Sequence, residues 1–427
     1  MEMDPIVLGE NYILPGNDVG TKRPNDCTLA VGSSGVGKTN SIIWPTIFRQ
    51  DKMNPVISCA KPEEGYEMAV YLEKAKQYPS DILDIGYPEH GTCSFDPLGY
   101  IESFEDISSL ASAIVLAVLR KTNDDYWNRG AINLLEGLIA ATMMVRKNPG
   151  MYDVLQLFDQ TVVEESGNGI RTKADKVFDK IQMSLSDNED NFAVRKYRSW
   201  HNLPHKTASC IRDCLSEALE AVFPEAIRQM MRDKHQIDFE RLGGSEKYAV
   251  IVISDSMEPW QEAYMNLFFR TCIKQLLRIA RNSPGNHLIR PVRLYMDDFS
   301  CSARLEGFSE SISLFRSAGI SALILLQGQS QLEHMYGADE AAIIRANCPV
   351  QVYFPGGMDI KSAQSVSVQT NMPLEDILFQ DLGRVIISQS GKKPGIYSRF
   401  DTFHSEEYRE FQTIIHEEAK RKKGKDR

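Results

Sequence analysis

Three short apolar runs lie near the start of the chain, "TLAVG" (28–32), "PVISC" (55–59) and "DILDIG" (81–86), separated by "KTNSIIWPTIFRQ" and "EEGYEMAVYLEKAKQ", which have helical spacing. Strands alternating with helices predict a parallel sheet with crossover helices. The alternation then stops. From about Phe104 to Phe239, segments such as "ISSLASAIVLAVLR", "WNRGAINLLEGLIAATMMVRK" and "KTASCIRDCLSEALEAVF" repeat apolar residues at helical spacing and hold almost no β-branched runs, so an all-helical insertion is expected. Strands return with "YAVIVIS", "VRLYMDDF", "ISALILL" and "CPVQVYF", and "GRVIISQSGKKPGIYSRFD" predicts a closing hairpin around Ser390–Lys393. The predicted organisation is one α/β domain in two pieces, 1–102 and 241–415, around an all-α domain at 103–240, with 416–427 as a basic tail.

The turn after the first run carries the chemistry. Gly32, Ser33, Ser34, Gly35, Val36, Gly37, Lys38 and Thr39 fit the P-loop pattern G-x-x-x-x-G-K-[ST] at every fixed position. Small residues let consecutive N–H groups curl around phosphate oxygens, and the following helix adds its positive dipole end. In such a site Lys38 reaches the β- and γ-phosphates of ATP and Thr39 binds Mg²⁺. The second element is "VRLYMDDFS" (292–300), a buried-type strand ending in two acids. Ligands of such sheets collect outside the strands' carboxyl ends, which is where Asp297 would hold the Mg²⁺ shell and Asp298 would orient and deprotonate an attacking water. The plain alternative is an acidic turn after a strand.

Composition narrows the picture. Hydrophobic and charged fractions of 42% and 25% are those of a globular protein, and 427 residues leave room for two or three domains. The longest apolar stretches, "ASAIVLAVL" and "LLEGLIAATMMV", are too short or carry Glu136, short of the roughly eighteen residues of a membrane span. No secretory signal opens the chain, so a cytoplasmic location is expected. Eight cysteines form no C-x-x-C pair, and only Cys210 and Cys214 share a helical face, which is too few thiols for zinc and fits reduced cysteines. A net charge of −10 disfavours a broad nucleic-acid-coating surface. The last nine residues, "AKRKKGKDR", nevertheless carry six cations, either a solvated tail or a lipid or nucleic-acid contact. "VRKYRSWHNLPHK" (194–206) comes nearest to a base-stacking pattern and reads as a solvated helix end.

Several stretches carry a family resemblance: the P-loop, "FDPLGYI", "DDYWNRGAINLLEGLI", "LYMDDFS", and "LFRSAGISALILLQGQSQLEHMYG" followed by "IIRANCPVQVYFPGGMD". Over most of its length the chain resembles the TraG-type coupling proteins of type IV secretion and conjugation, hexameric P-loop ATPases that deliver DNA and attached protein to a secretion channel. The resemblance implies a RecA-like core and a homo-hexamer, with Gln327 sensing the γ-phosphate and Arg316 offered as an arginine finger to the neighbouring subunit. Read from the residues alone, Gln327 is an amide at the end of a strand, and Arg316 could equally be a surface cation. The implied partners are single-stranded DNA, a relaxase and the type IV secretion channel proteins, met at the inner face of a bacterial membrane.

Three features depart from the family. Asp298 stands where the family usually has Glu, and "CAKPEEG" replaces D-P-K-G-E, which leaves Lys61 and Glu63 without a clear role. The P-loop also begins only 31 residues in, without the usual membrane anchor, so that a partner supplies the membrane contact or the chain is a soluble variant. Two other readings stay open: an ATP-binding adaptor that recruits secretion substrates without moving DNA, and a small-molecule kinase favoured by the P-loop alone.

Overall fold

The computed structural model describes residues 2–18, 26–118, 126–166, 169–184, 190–255, 258–297, 304–356 and 358–425. Two compact units divide the chain. Met1–Gly86, Ile237–Ser256 and Cys272–Arg427 form the first, and Tyr87–Gln236 with Met257–Thr271 the second.

The strands, in chain order, are β1 (Ile6–Gly9), β2 (Tyr12–Leu14), β3 (Thr28–Val31), β4 (Asn54–Cys59), β5 (Ser80–Asp84), β6 (Glu164–Ser166), β7 (Gly169–Arg171), β8 (Ala249–Ile253), β9 (Val292–Met296), β10 (Ile320–Leu326), β11 (Val350–Tyr353), β12 (Arg384–Gln389) and β13 (Gly395–Ser398). In the first unit, nine of them make one sheet in the order β13-β12-β11-β3-β10-β9-β4-β8-β5, parallel except for the β12–β13 edge. All residues of β3, β4, β8, β9 and β10 are buried, the continuous apolar habit of strands covered on both faces. Register levels the carboxyl ends: Val31 lies opposite both Leu326 and Tyr353, and Met296 opposite both Ile324 and Ser58. In this order β10 sits between the P-loop strand and the strand that leads into Asp297. One face is closed by a cluster of rings from three helical segments: Trp44 and Phe48 after the P-loop, Tyr71 from Pro62–Lys76 and Phe411 from Glu406–Lys425. The stretch expected to be a basic tail from 416 is thus the second half of that last helix.

The chain's beginning is locked to the sheet by a buried charge. Arg293 of β9 is fully buried, pairs with Asp26 at 3.3 Å and donates to the carbonyls of Asp4 at 2.7 Å and Pro5 at 3.2 Å. The Asp4 carboxylate in turn accepts from the backbone of Lys52 and Met53 at 2.9 Å each. Removing one partner of a buried pair strands the other, at a cost of about 3–5 kcal/mol. Arg293→Ala is expected to lower the thermal midpoint by on the order of 10 °C, read by differential scanning calorimetry.

The second unit is mainly helical, with Phe104–Val118, Tyr126–Val145, Met151–Asp159, Asp175–Met183, Phe192–His201, His205–Val222 and Glu225–Asp233. It begins before residue 103 because Phe95 packs its ring against Tyr264 and Phe268, and the Tyr264 hydroxyl donates to the Phe95 carbonyl. The expectation of helices alone is corrected by the ribbon β6–β7, whose three-residue strands are too short to show an alternation. Glu136, which interrupts an apolar run, is buried and paired with Lys196. The candidate stacking segment 194–206 includes the end of the helix Phe192–His201, and its Arg195, Arg198 and Lys206 are exposed as expected, but its aromatics are not. Tyr197 and Trp200 are only 3% and 1% exposed, with Tyr197 stacked on Phe178 and the Trp200 indole donating to the Ala208 carbonyl at 2.9 Å.

Candidate nucleotide site

The P-loop leaves β3 at its carboxyl end, where Gly32 N–H still donates to the Leu326 carbonyl at 3.1 Å. Gly35 and Gly37 then take φ values of +78° and +89°, a conformation that glycine adopts without the steric cost of a side chain. These reversals turn the loop into a concave turn of backbone N–H groups, a natural anion cradle. The Lys38 side chain is buried within it, its ammonium donating to the Gly32 and Ser33 carbonyls at 2.7 and 3.1 Å. The next residues, Thr39–Ile43, are π-helical before the α-helix Trp44–Ile47 takes over. Wide turns of this kind recur at functional sites.

The two motifs meet across the sheet. Thr39 Oγ1 donates to Asp297 Oδ2 at 2.7 Å, although 258 residues separate them. Ser58, at the end of β4, steadies the acid by accepting from the Asp297 N–H at 3.0 Å. A hydroxyl and a carboxylate side by side are hard oxygen donors of the kind Mg²⁺ takes. The residues present therefore fit that ion, with Thr39 and Asp297 as the two that can hold it. Asp298 lies outside the described residues.

Gln327 follows β10 directly, and its N–H is capped by Gln331 Oε1 at 3.0 Å. Together with Val31, Gly32, Ser33, Gln331 and Asp359 it lines a cavity of about 240 Å³ beside the P-loop. The structure thus brings Gln327 to the loop. Arg316 is placed differently: it is exposed on the short helix Phe315–Ala318 and makes no hydrogen bond or ion pair among the described residues. Lys61 is engaged by Glu64 at 2.6 Å, and this hydrogen bond holds its ammonium above the usual lysine range. Burial pushes the Cys59 thiol up to about 12, so it offers no thiolate to the site.

Two contributors were not singled out from the sequence. Ser58 is the penultimate residue of an unremarkable apolar strand. Arg399, from just beyond β13, donates to the Val36 carbonyl at 2.7 Å, and no local motif announces it.

The model of the family described as "Type IV secretory system Conjugative DNA transfer" matches residues 12–368. The chain belongs to this family. It is the family of the resemblance drawn from the motifs, and the match takes in the P-loop, Asp297, Arg316 and Gln327. Among solved structures, the plasmid coupling protein TrwB in complex with ADP and Mg²⁺ is 16% identical, with 88% of this chain and 85% of that chain covered and a TM-score of 0.64. An unbound form of the bacterial conjugative coupling protein TrwBdeltaN70 matches over the same shares at 15% identity and a TM-score of 0.63. VirB4 of Thermoanaerobacter pseudethanolicus is 10% identical over 93% of this chain and 96% of its own, with a TM-score of 0.55. At these identities the likeness is one of fold, the RecA-like α/β core of P-loop ATPases. No sequence among the curated proteins matches this chain.

Proposed function

We propose that the chain is an Mg²⁺-dependent ATPase that assembles as a homo-hexamer and delivers single-stranded DNA with an attached relaxase to a type IV secretion channel. The observation that carries the reading is the 2.7 Å contact between Thr39 and Asp297, which joins the P-loop to the acidic strand end at the sheet's carboxyl edge. The TrwB structure with ADP and Mg²⁺ supports the same ligands for this chain. Thr39 and Asp297 would hold Mg²⁺, which would supply positive charge against the negative charge developing on the phosphates. The chain's own residues do the rest. The N–H groups of Gly35, Val36, Gly37 and Lys38 cradle the phosphates, the Lys38 ammonium turns to the β- and γ-oxygens, and Asp298 orients the attacking water. Gln327 reports on the γ-phosphate, and Arg316 reaches into the neighbouring subunit's site. Among the described residues no helix is long and apolar enough to cross a membrane, and a membrane-anchored partner is proposed to hold the ring at the inner face of the cell membrane.

DNA stimulation tests the motor reading. In a chain of net charge −10, the grip on DNA is expected only where a ring gathers cations around its channel. ATPase activity measured with single-stranded DNA should rise steeply with protein concentration as the hexamer forms. It should fall with salt at a log–log slope of about −0.7 per neutralised phosphate. Stimulation that survives deletion of residues 419–427 assigns the grip to the folded channel, and its loss assigns it to the basic helix end. A hexamer indifferent to nucleic acid replaces the motor by the adaptor.

A further inference from the structure

The last part of the chain runs along the P-loop and its helix residue by residue. Arg399 donates from Nη1 to the Val36 carbonyl at 2.7 Å, and the Thr402 hydroxyl donates to the Asn40 carbonyl. The Arg49 guanidinium lies 5.7 Å from the Phe400 ring and pairs with Glu407 at 3.4 Å. Phe411 then enters the ring cluster beside Trp44 and Phe48. The first of these contacts falls on the loop itself, between its two glycines of positive φ. A Cβ added to Gly37 would come within 2.8 Å of Arg399 Nη1.

We infer that Arg399 is a positioning residue for nucleotide binding, holding the P-loop in its anion-accepting shape through the Val36 carbonyl. In a nest of this type the N–H groups face the anion only while the carbonyls between them face away. An outward carbonyl held by a guanidinium keeps its neighbours' N–H groups aimed inward. Arg399 lies outside the 12–368 match to the family. Because the brace shapes the loop before and during reaction alike, it lowers KM and leaves kcat unchanged.

The inference rests on the nucleotide-site reading, and the experiment separates the two. Binding of a fluorescent N-methylanthraniloyl derivative of ADP is titrated by anisotropy in wild type, Arg399→Ala and Arg399→Lys, with KM and kcat for ATP measured alongside. Arg399→Ala is expected to raise Kd and KM about tenfold or more, the weight of a charge-assisted hydrogen bond, with kcat within about threefold of wild type. Arg399→Lys should recover part of the affinity. A merely structural role would instead lower apparent kcat with the folded fraction and leave KM unmoved. If Arg399→Ala fails to fold, Arg399→Gln, neutral and shorter, takes its place with the same expected loss. A wild-type Kd in the Ala or Gln variant overturns the brace alone. A wild-type chain that binds no ADP derivative overturns the nucleotide site and the brace with it.

Discussion

Lys38→Ala is expected to abolish ATP hydrolysis, lowering kcat by about three orders of magnitude. The estimate follows from the size of the effect when one preorganised donor to a developing charge is removed, about 10²–10³, with a full positive charge lost here besides. Nucleotide affinity should fall about tenfold, as for a single charge-assisted hydrogen bond. The fold should persist, because the Lys38 ammonium donates to the Gly32 and Ser33 carbonyls of its own loop, while β3 is held by β10 and β11. Steady-state turnover, nucleotide titration and circular dichroism on the same preparation check the three parts. Unchanged turnover would take the reaction away from this loop.

Arg316→Ala carries the other large effect. An arginine finger contributes roughly 10³–10⁵ in rate in phosphoryl transfer, so the variant should bind ATP as wild type does and scarcely hydrolyse it. The side chain is exposed and makes no ion pair among the described residues, which suits a group whose partner is on another subunit. Mixing tests the trans geometry directly. If each finger serves a neighbour and the ring acts in concert, the variant doped into wild type should suppress activity beyond its mole fraction. A strictly proportional loss confines the residue to its own chain or to no role at all.

Much of the site was legible because its chemistry sits at the ends of apolar runs. Lys38, Thr39, Asp297 and Gln327 each follow a strand that reads as buried, and parallel strands deliver their carboxyl ends to one edge. Pairing order was not legible: nothing local to "ISALILL" says that β10 inserts between β3 and β9, since its partner residues on β3 lie nearly 300 positions away. The same distance hides Arg399, 363 residues from Val36. The hairpin β1–β2 escaped because Ile6, Val7 and Leu8 are all buried and leave no alternation to read. Segment 194–206 was legible in part. Its Arg195, Arg198 and Lys206 lie on the surface as the pattern reads, but Tyr197 and Trp200 fill a core and Lys196 neutralises the buried Glu136.

The placing of β3 has a consequence for how the protein is made. Its two neighbours in the sheet are β10 and β11, and at about 5–20 residues per second the roughly 320 residues between Val31 and Tyr353 take on the order of 15–60 s to emerge from the ribosome. Until β10 emerges the P-loop strand has both hydrogen-bonding edges open, and until β11 follows it has one, an invitation to pair with another nascent chain. The helical unit, whose last residue is Thr271, is complete well before then. Synthesis therefore completes the helical unit before the P-loop strand can meet its neighbours, and the phosphate-binding loop, translated ahead of both, gains its support in the sheet only afterwards.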